Sequence, residues 1–267
     1  MSDTPEKMRI IAVANQKGGV GKTTTTINLA TALCAIGKKT LILDLDPQGN
    51  ASTGVGVGHA ARHTTTYDVL VRQVPLAKSI VHTSIPGLHL APAEADLAGA
   101  ELEMANVARR SHRLKDALEV LRKNNDYAYI LIDCPPSLNV LTVNALTAAD
   151  ALLVPLQCEF FALEGLSQLL RTVDLVRGNL NPRLEIQGLV LTMYDPRNNL
   201  SKQVSDDVRA HFGDKVYETV IPRNVRVSEA PSFGKPVLIY DHMCAGSKAY
   251  MKLASEVIRR ENKVRAL

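Results

Sequence analysis

The chain is predicted to be a doubly wound α/β fold with a mostly parallel sheet and helices on both faces. Three observations carry that expectation. Short runs of continuous apolar residues recur along the chain, as in strands covered on both sides. Stretches with helical apolar spacing alternate with them. The polar motifs cluster where the apolar runs end, the edge at which such folds bind ligands. With 267 residues, 46% hydrophobic and 22% charged, the chain has ample material for one large core. No repeat or low-complexity linker divides it, so residues 1–267 are read as one domain behind a flexible leader at 1–7.

The elements follow in order. Ile10–Ala14 is a buried strand, and Thr24–Leu33 opens a helix that closes at Gly37. Thr40–Asp46 is a second buried strand, broken by Pro47-Gln48-Gly49-Asn50. Residues 60–95 carry little pattern apart from Leu88–Pro92. From Leu97 to Leu121 the spacing predicts one amphipathic helix. Tyr127–Asp133 is a strand stopped by Pro135-Pro136, with a helix near 139–149 behind it. Strand 151–156, helix 164–177, strand 186–192 and helix 201–212 continue the alternation. Val216–Ile221 is expected as a last strand and 246–263 as a closing helix.

The central motif is Lys17-Gly18-Gly19-Val20-Gly21-Lys22-Thr23, between the first strand and the first helix. Strand, glycine-rich turn and helix start form the context of a phosphate-binding loop. Glycines let the backbone wrap an anion, and the helix start aims free N–H groups at it. Lys22 is expected on the β- and γ-phosphates of ATP, the Thr23 hydroxyl on Mg²⁺, and Gly18–Thr24 around the nucleotide. The usual first glycine of the motif is Gln16 here, followed by a second lysine, Lys17.

The acids at strand ends complete the chemistry. Asp133 is expected to hold Mg²⁺ at the end of a buried strand. The next residue is Cys134, so no glutamate stands there to activate water. Asp44 and Asp46 remain as candidates. Asp46 precedes Pro47, which fixes the turn beyond the strand, so Asp46 is expected to orient the attacking water and to lie in the metal shell, with Asp44 in support. No arginine finger precedes the loop. Lys17, read as pointing out of the loop, is expected to reach the nucleotide of a second copy in a dimer facing across two ATPs.

Composition excludes other classes. Cys34, Cys134, Cys158 and Cys244 are scattered without a C-x-x-C pair, against a disulfide framework or an electron-transferring cluster. Trp is absent and aromatics are 4%, against a base-stacking nucleic-acid binder. No apolar run approaches 18 residues. Residues 190–267 hold 13 Lys+Arg against 9 Asp+Glu, whereas the first 189 residues balance at 18 each. That asymmetry points to a polyanion-facing surface in the last third.

Taken together, Lys17–Thr23, Asp44–Asn50, Asp133-Cys134-Pro135-Pro136-Ser137 and Ile221-Pro222-Arg223-Asn224-Val225-Arg226 resemble the chromosomal ParA (Soj) partition ATPases, which carry a deviant Walker A loop. The resemblance extends from about Arg9 to the last helix. It implies a slow ATPase that forms an ATP-bound sandwich dimer, with Lys17 on the partner's phosphates. It implies sequence-independent binding of double-stranded DNA, hydrolysis stimulated by a ParB-type centromere-binding protein, and a cytoplasmic, nucleoid-associated location. It places adenine contacts on Pro222 and Asn224, and DNA contacts on Arg197 and Arg226, with Lys202, Arg223, Lys235 and Lys248 as further candidates. Neither arginine loop carries a helix-turn-helix signature, which agrees with backbone-only recognition. A MinD-type membrane ATPase is the rival. It needs a C-terminal amphipathic helix with bulky apolar residues, whereas Val257–Leu267 is basic and lacks an aromatic. A nucleotide-gated scaffold or repressor with little catalysis is a third reading, to which the missing glutamate gives partial support.

Overall fold

The computed structural model describes residues 8–124, 127–159 and 162–265. The leader expected at 1–7 and the last two residues of the basic tail lie outside them. Seven strands form one sheet: β1 (Arg9–Val13), β2 (Thr40–Asp44), β3 (Val81–His82), β4 (Leu88–Ala91), β5 (Tyr129–Asp133), β6 (Ala151–Gln157) and β7 (Glu185–Thr192). Their order is β3-β4-β2-β5-β1-β6-β7. Every pairing is parallel except β3 with β4. From β1 the chain crosses outward to β2 and β4, returns to β5 beside β1, then crosses to β6 and β7, so its direction of progress reverses beside β1. That reversal opens the crevice in which doubly wound folds bind ligands.

The strands bury nearly every residue, which is why their sequences are continuous rather than alternating. Alternate side chains feed two cores. Ile11, Val13, Ile42, Tyr129, Leu131 and Leu153 face α1 (Lys22–Ala35) and the closing helix. Ile10, Ala12, Leu41, Leu43, Ile130, Ile132 and Leu152 face the opposite layer. Short helices α2 (Asn50–Gly54), α3 (Thr66–Leu70) and α4 (Ala100–Glu103) follow β2 and β4. The opposite layer is built mainly from α5 (Arg113–Asn124), α6 (Val140–Ala148), α7 (Ala162–Asn179) and α8 (Asn199–Phe212). Short α9 (Val225–Glu229) and α10 (Val237–Tyr240) lead to the closing helix α11 (Ala245–Arg265).

Two expectations need correction. The single helix from Leu97 to Leu121 is interrupted between Glu103 and Arg113, with Arg109 at a left-handed φ of 57°. Asn144 of α6 holds the interruption: its amide donates to Arg110 O (2.9 Å) and its Oδ1 accepts from Leu114 N (3.2 Å). The stretch Val216–Ile221 is not a strand. It touches β7 through Tyr217 N to Leu189 O and Ile221 N to Leu191 O, with only isolated bridges. The intervening amides of Glu218 and Thr219 donate instead to the buried Glu256 carboxylate of α11, at 2.9 and 3.0 Å. A side chain takes the donors that a ladder would need.

Candidate nucleotide site

The loop after β1 sits over the strand-order reversal. Gly19 and Gly21 adopt φ of 75° and 85°, and Gly21 serves as N-cap of α1 without any side-chain cap. The orphan N–H groups of that helix start therefore remain available to an anion. A Cβ on Gly18 or Gly19 would meet nothing within 4 Å, so these glycines leave an open concavity. Neighbouring strands brace the loop. Thr192 Oγ1, at the end of β7, donates to Val20 O (2.8 Å). Asn15 bridges Pro155 O on β6 and Lys17 N, at 2.8 and 3.1 Å.

Lys22 is buried, and its ammonium donates back to Lys17 O at 3.0 Å. Burial lowers its pKa, against the opposing pull of Asp133, Cys134 and Asp46. The Lys17 ammonium reaches out of its loop to pair with Glu159, just beyond β6, at 2.7 Å. Gln157 holds the other Glu159 oxygen at 2.5 Å.

Three acids converge at the ends of β2 and β5. Asp44 and Asp133 are fully buried cross-strand neighbours, and Asp46 is buried one turn beyond. Burial raises the Asp44 pKa to about 6, although Ser52 N and Oγ both donate to its carboxylate. Burial, then the Asp44 charge, pushes Asp133 well above the usual carboxylate range, with Thr23 and Thr26 opposing. Asp133 Oδ1 accepts from Thr26 (3.1 Å), while Oδ2 is buried without a hydrogen-bond partner. That buried carboxylate oxygen, with the Thr23 side chain close enough to oppose the rise in the Asp133 pKa, suits a hard cation. Magnesium is held by one or two carboxylates plus phosphates rather than by an all-protein cage. Among the described residues no three or more His, Cys, Asp or Glu by themselves form a metal-holding cluster. Thr23, Asp133 and Asp46 thus fit Mg²⁺, and Gly18–Thr24 fit the phosphates.

Pro222 and Asn224 lie outside the loop. Pro222 bridges Tyr194, two residues past the end of β7, and the Asn224 side chain caps α9 through Arg226 N (3.0 Å). The basic candidates lie apart from the acids and on the surface. Lys202, Arg223, Lys235 and Lys248 are exposed. Arg197 is 87% exposed, yet Asp195 grips it through two side-chain bonds of 3.0 Å and is itself lowered to about pKa 2 by them. Arg226 pairs with Glu229 at 3.0 Å and approaches Asp241 at 3.6 Å.

Relatives agree with this arrangement. Residues 8–186 match a protein family described as an AAA domain. The chain is 69% identical over 261 residues to the chromosome partitioning protein ParA of Caulobacter vibrioides, covering 98% of this chain and 97% of that one. It is 53% identical over 249 residues to the sporulation initiation inhibitor protein Soj of Bacillus subtilis, covering 93% and 98%. The chain belongs to the ParA/Soj family of chromosome-partitioning P-loop ATPases. Among solved structures, cobyrinic acid a,c-diamide synthase from Mycobacterium smegmatis, with bound ATP analog and magnesium, superposes with a TM-score of 0.83. It is 38% identical and covers 96% of each chain. For this ParA/Soj member, sequence reasoning missed Asn15, Thr26, Ser52, Glu159 and Thr192. Thr26 was within reach, since it lies one helical turn from Thr23 and shares its face. Glu159 and Thr192 lie far along the chain, and only the fold brings them to the loop.

Proposed function

We propose that this single-domain chain is a slow, Mg²⁺-dependent ATPase whose ATP-bound form pairs face to face with a second copy. The pair binds double-stranded DNA without sequence preference, and a ParB-type partner stimulates hydrolysis and release, giving a cytoplasmic, nucleoid-associated protein. The observation that carries the reading is the convergence of a glycine loop, Lys22 and three buried acids at one strand-order reversal. Mg·ATP, when bound, supplies the phosphoryl group and the cation that offsets its developing charge.

The chain's own residues then divide the work. The amides of Gly18–Thr24 and the Lys22 ammonium grip the phosphates, while Thr23, Asp133 and Asp46 hold the metal. Asp46, outside the strand, orients the attacking water. Pro222 and Asn224 flank the base. Lys17 leaves Glu159 and completes the second copy's site, so catalysis waits on pairing. With no strong base beside Asp133, unassisted turnover is slow. Arg197 and Arg226, with Lys202, Arg223, Lys235 and Lys248, meet DNA phosphates from exposed loops.

The membrane rival loses support from α11, whose Leu253, Ala254 and Val257 are fully buried against the rest of the chain. No helix among the described residues is long and apolar enough to cross a membrane. A DNA-binding titration with ATP, ADP and no nucleotide, at two salt concentrations, tests the reading. Binding confined to ATP and weakened steeply by salt is expected. Liposome binding with no DNA binding would replace it by the membrane reading.

A further inference from the structure

A buried guanidinium sits outside the nucleotide site with no catalytic partner of its own. Arg62 follows a short 3-10 turn (His59–Ala61), and its side chain is 1% exposed. Burying a cation is costly unless its donors are satisfied. Here they are spent on two segments. Nε and Nη2 both donate to Val57 O, at 3.0 and 2.8 Å, and Nη2 also reaches Thr53 Oγ1 at 2.8 Å. Nη1 donates to Ala93 O at 3.1 Å and stands 3.4 Å from Glu94. Thus α2 and the turn after it are tied to the segment following β4.

That fork also lies directly under the loop carrying Asp46. Gly49, the N-cap of α2, adopts φ 61°, and a Cβ there would lie 2.6 Å from Arg62 Nη1 and 2.9 Å from Ala93 O. Asp46 is bonded into the same turn: Gly49 N donates to its carbonyl (2.9 Å) and Gln48 N to its carboxylate (3.0 Å). On the sheet side Asp44 Oδ1 accepts from Asp46 N (3.1 Å), and Asp44 Oδ2 accepts from Ser52 N (2.9 Å). Asp44 thus bonds one side of the loop, while Arg62 packs against Gly49 on the other and bonds α2 and the turn after it. A lysine carries the same charge but lacks the planar fork that reaches three acceptors at once.

We propose that Arg62 is a positioning residue for hydrolysis, holding the Asp46–Gly49 turn at the distance from Lys22 and Asp133 that the reaction needs. This rests on the role given to Asp46 above. The phosphate grip itself lies in the loop between β1 and α1, to which Arg62 makes no hydrogen bond among the described residues, so nucleotide binding and turnover should separate. The test is single-turnover hydrolysis and ATP affinity for the parent, R62K, R62A and D46A in the full chain, with thermal melting alongside. R62K is expected to lose about tenfold to a hundredfold in rate, the scale of a small misplacement of a reacting group, with ATP affinity unchanged. Added guanidinium is expected to restore part of the R62A rate. A parental rate in R62K overturns the proposal. So does a loss of rate and ATP affinity in parallel with no rescue, which marks a purely structural residue. If D46A also hydrolyses ATP normally, the reading of Asp46 itself has failed. If D46A is inactive while R62K is normal, only the role of Arg62 has.

Discussion

The acid-lined end of the sheet and the basic surface of the last third are built on opposite principles. At the acid end each group is buried and bonded within the site. Asp44 accepts from Ser52 and Asp46, Asp133 accepts from Thr26, and Lys22 folds onto its own loop. On the basic surface Arg197 and Arg226 are more than half exposed, and each is paired with a nearby carboxylate. Exposed pairs of that kind contribute about 0–1 kcal/mol, so phosphates can displace them at little cost. The first region suits a geometry that must not drift, the second the reversible phosphate contact proposed above.

Substitutions can break this contrast. The largest effect is expected for Lys22→Ala, which removes a buried cation facing two acids. Such truncations cost about 2–5 kcal/mol, so ATP affinity measured by calorimetry should fall about a hundredfold or more. Retained affinity would remove the loop from the nucleotide site. Asp46→Ala comes next: hydrolysis should fall about a hundredfold, the scale of a lost acid–base or orienting group. Affinity for ATP and for DNA should persist, and unchanged hydrolysis would transfer the role to Asp44. On the basic surface, Arg197→Glu or Arg226→Glu should weaken DNA binding about tenfold each and lower the salt slope by about one, leaving ATP binding intact. An unchanged slope would place the DNA surface elsewhere. The smallest effect is expected for Glu159→Gln, which loosens the Lys17 pair. Self-association in a slowly hydrolysed ATP analogue should strengthen by about threefold, within the range of a partly exposed ion pair. Sedimentation that shows no change would mean the pair does not restrain Lys17.

Much of the acid end was legible in the sequence because its strands are continuous apolar runs that stop at glycine, proline or an acid. Ile130-Leu131-Ile132-Asp133 and Leu41-Ile42-Leu43-Asp44 need no distant information to be placed. The failures have a common physical cause. Helical periodicity from Leu97 to Leu121 is real, but Asn144 from another helix offers the backbone better partners at 110–114. Val216–Ile221 has strand-forming composition, but Glu256, some 40 residues on, claims its amides. The capping box of Thr65 and Asp68 that starts α3 was readable, though buried in a stretch with little other pattern. Likewise the Lys17–Glu159 pair spans 142 positions, and no local rule connects them.

The Glu256 clip has a consequence for solubility. An eighth strand at 216–221 would have paired fully with β7 and left its own outer row of amides and carbonyls facing solvent, a template for sheet-to-sheet association. Instead β7 is covered by a segment that bonds at only a few points, while its amides at Glu218 and Thr219 are occupied. At the far side the sheet ends in β3, two residues long and antiparallel. Both margins are thereby blunted, so neither edge offers a long row of unpaired backbone groups to another sheet.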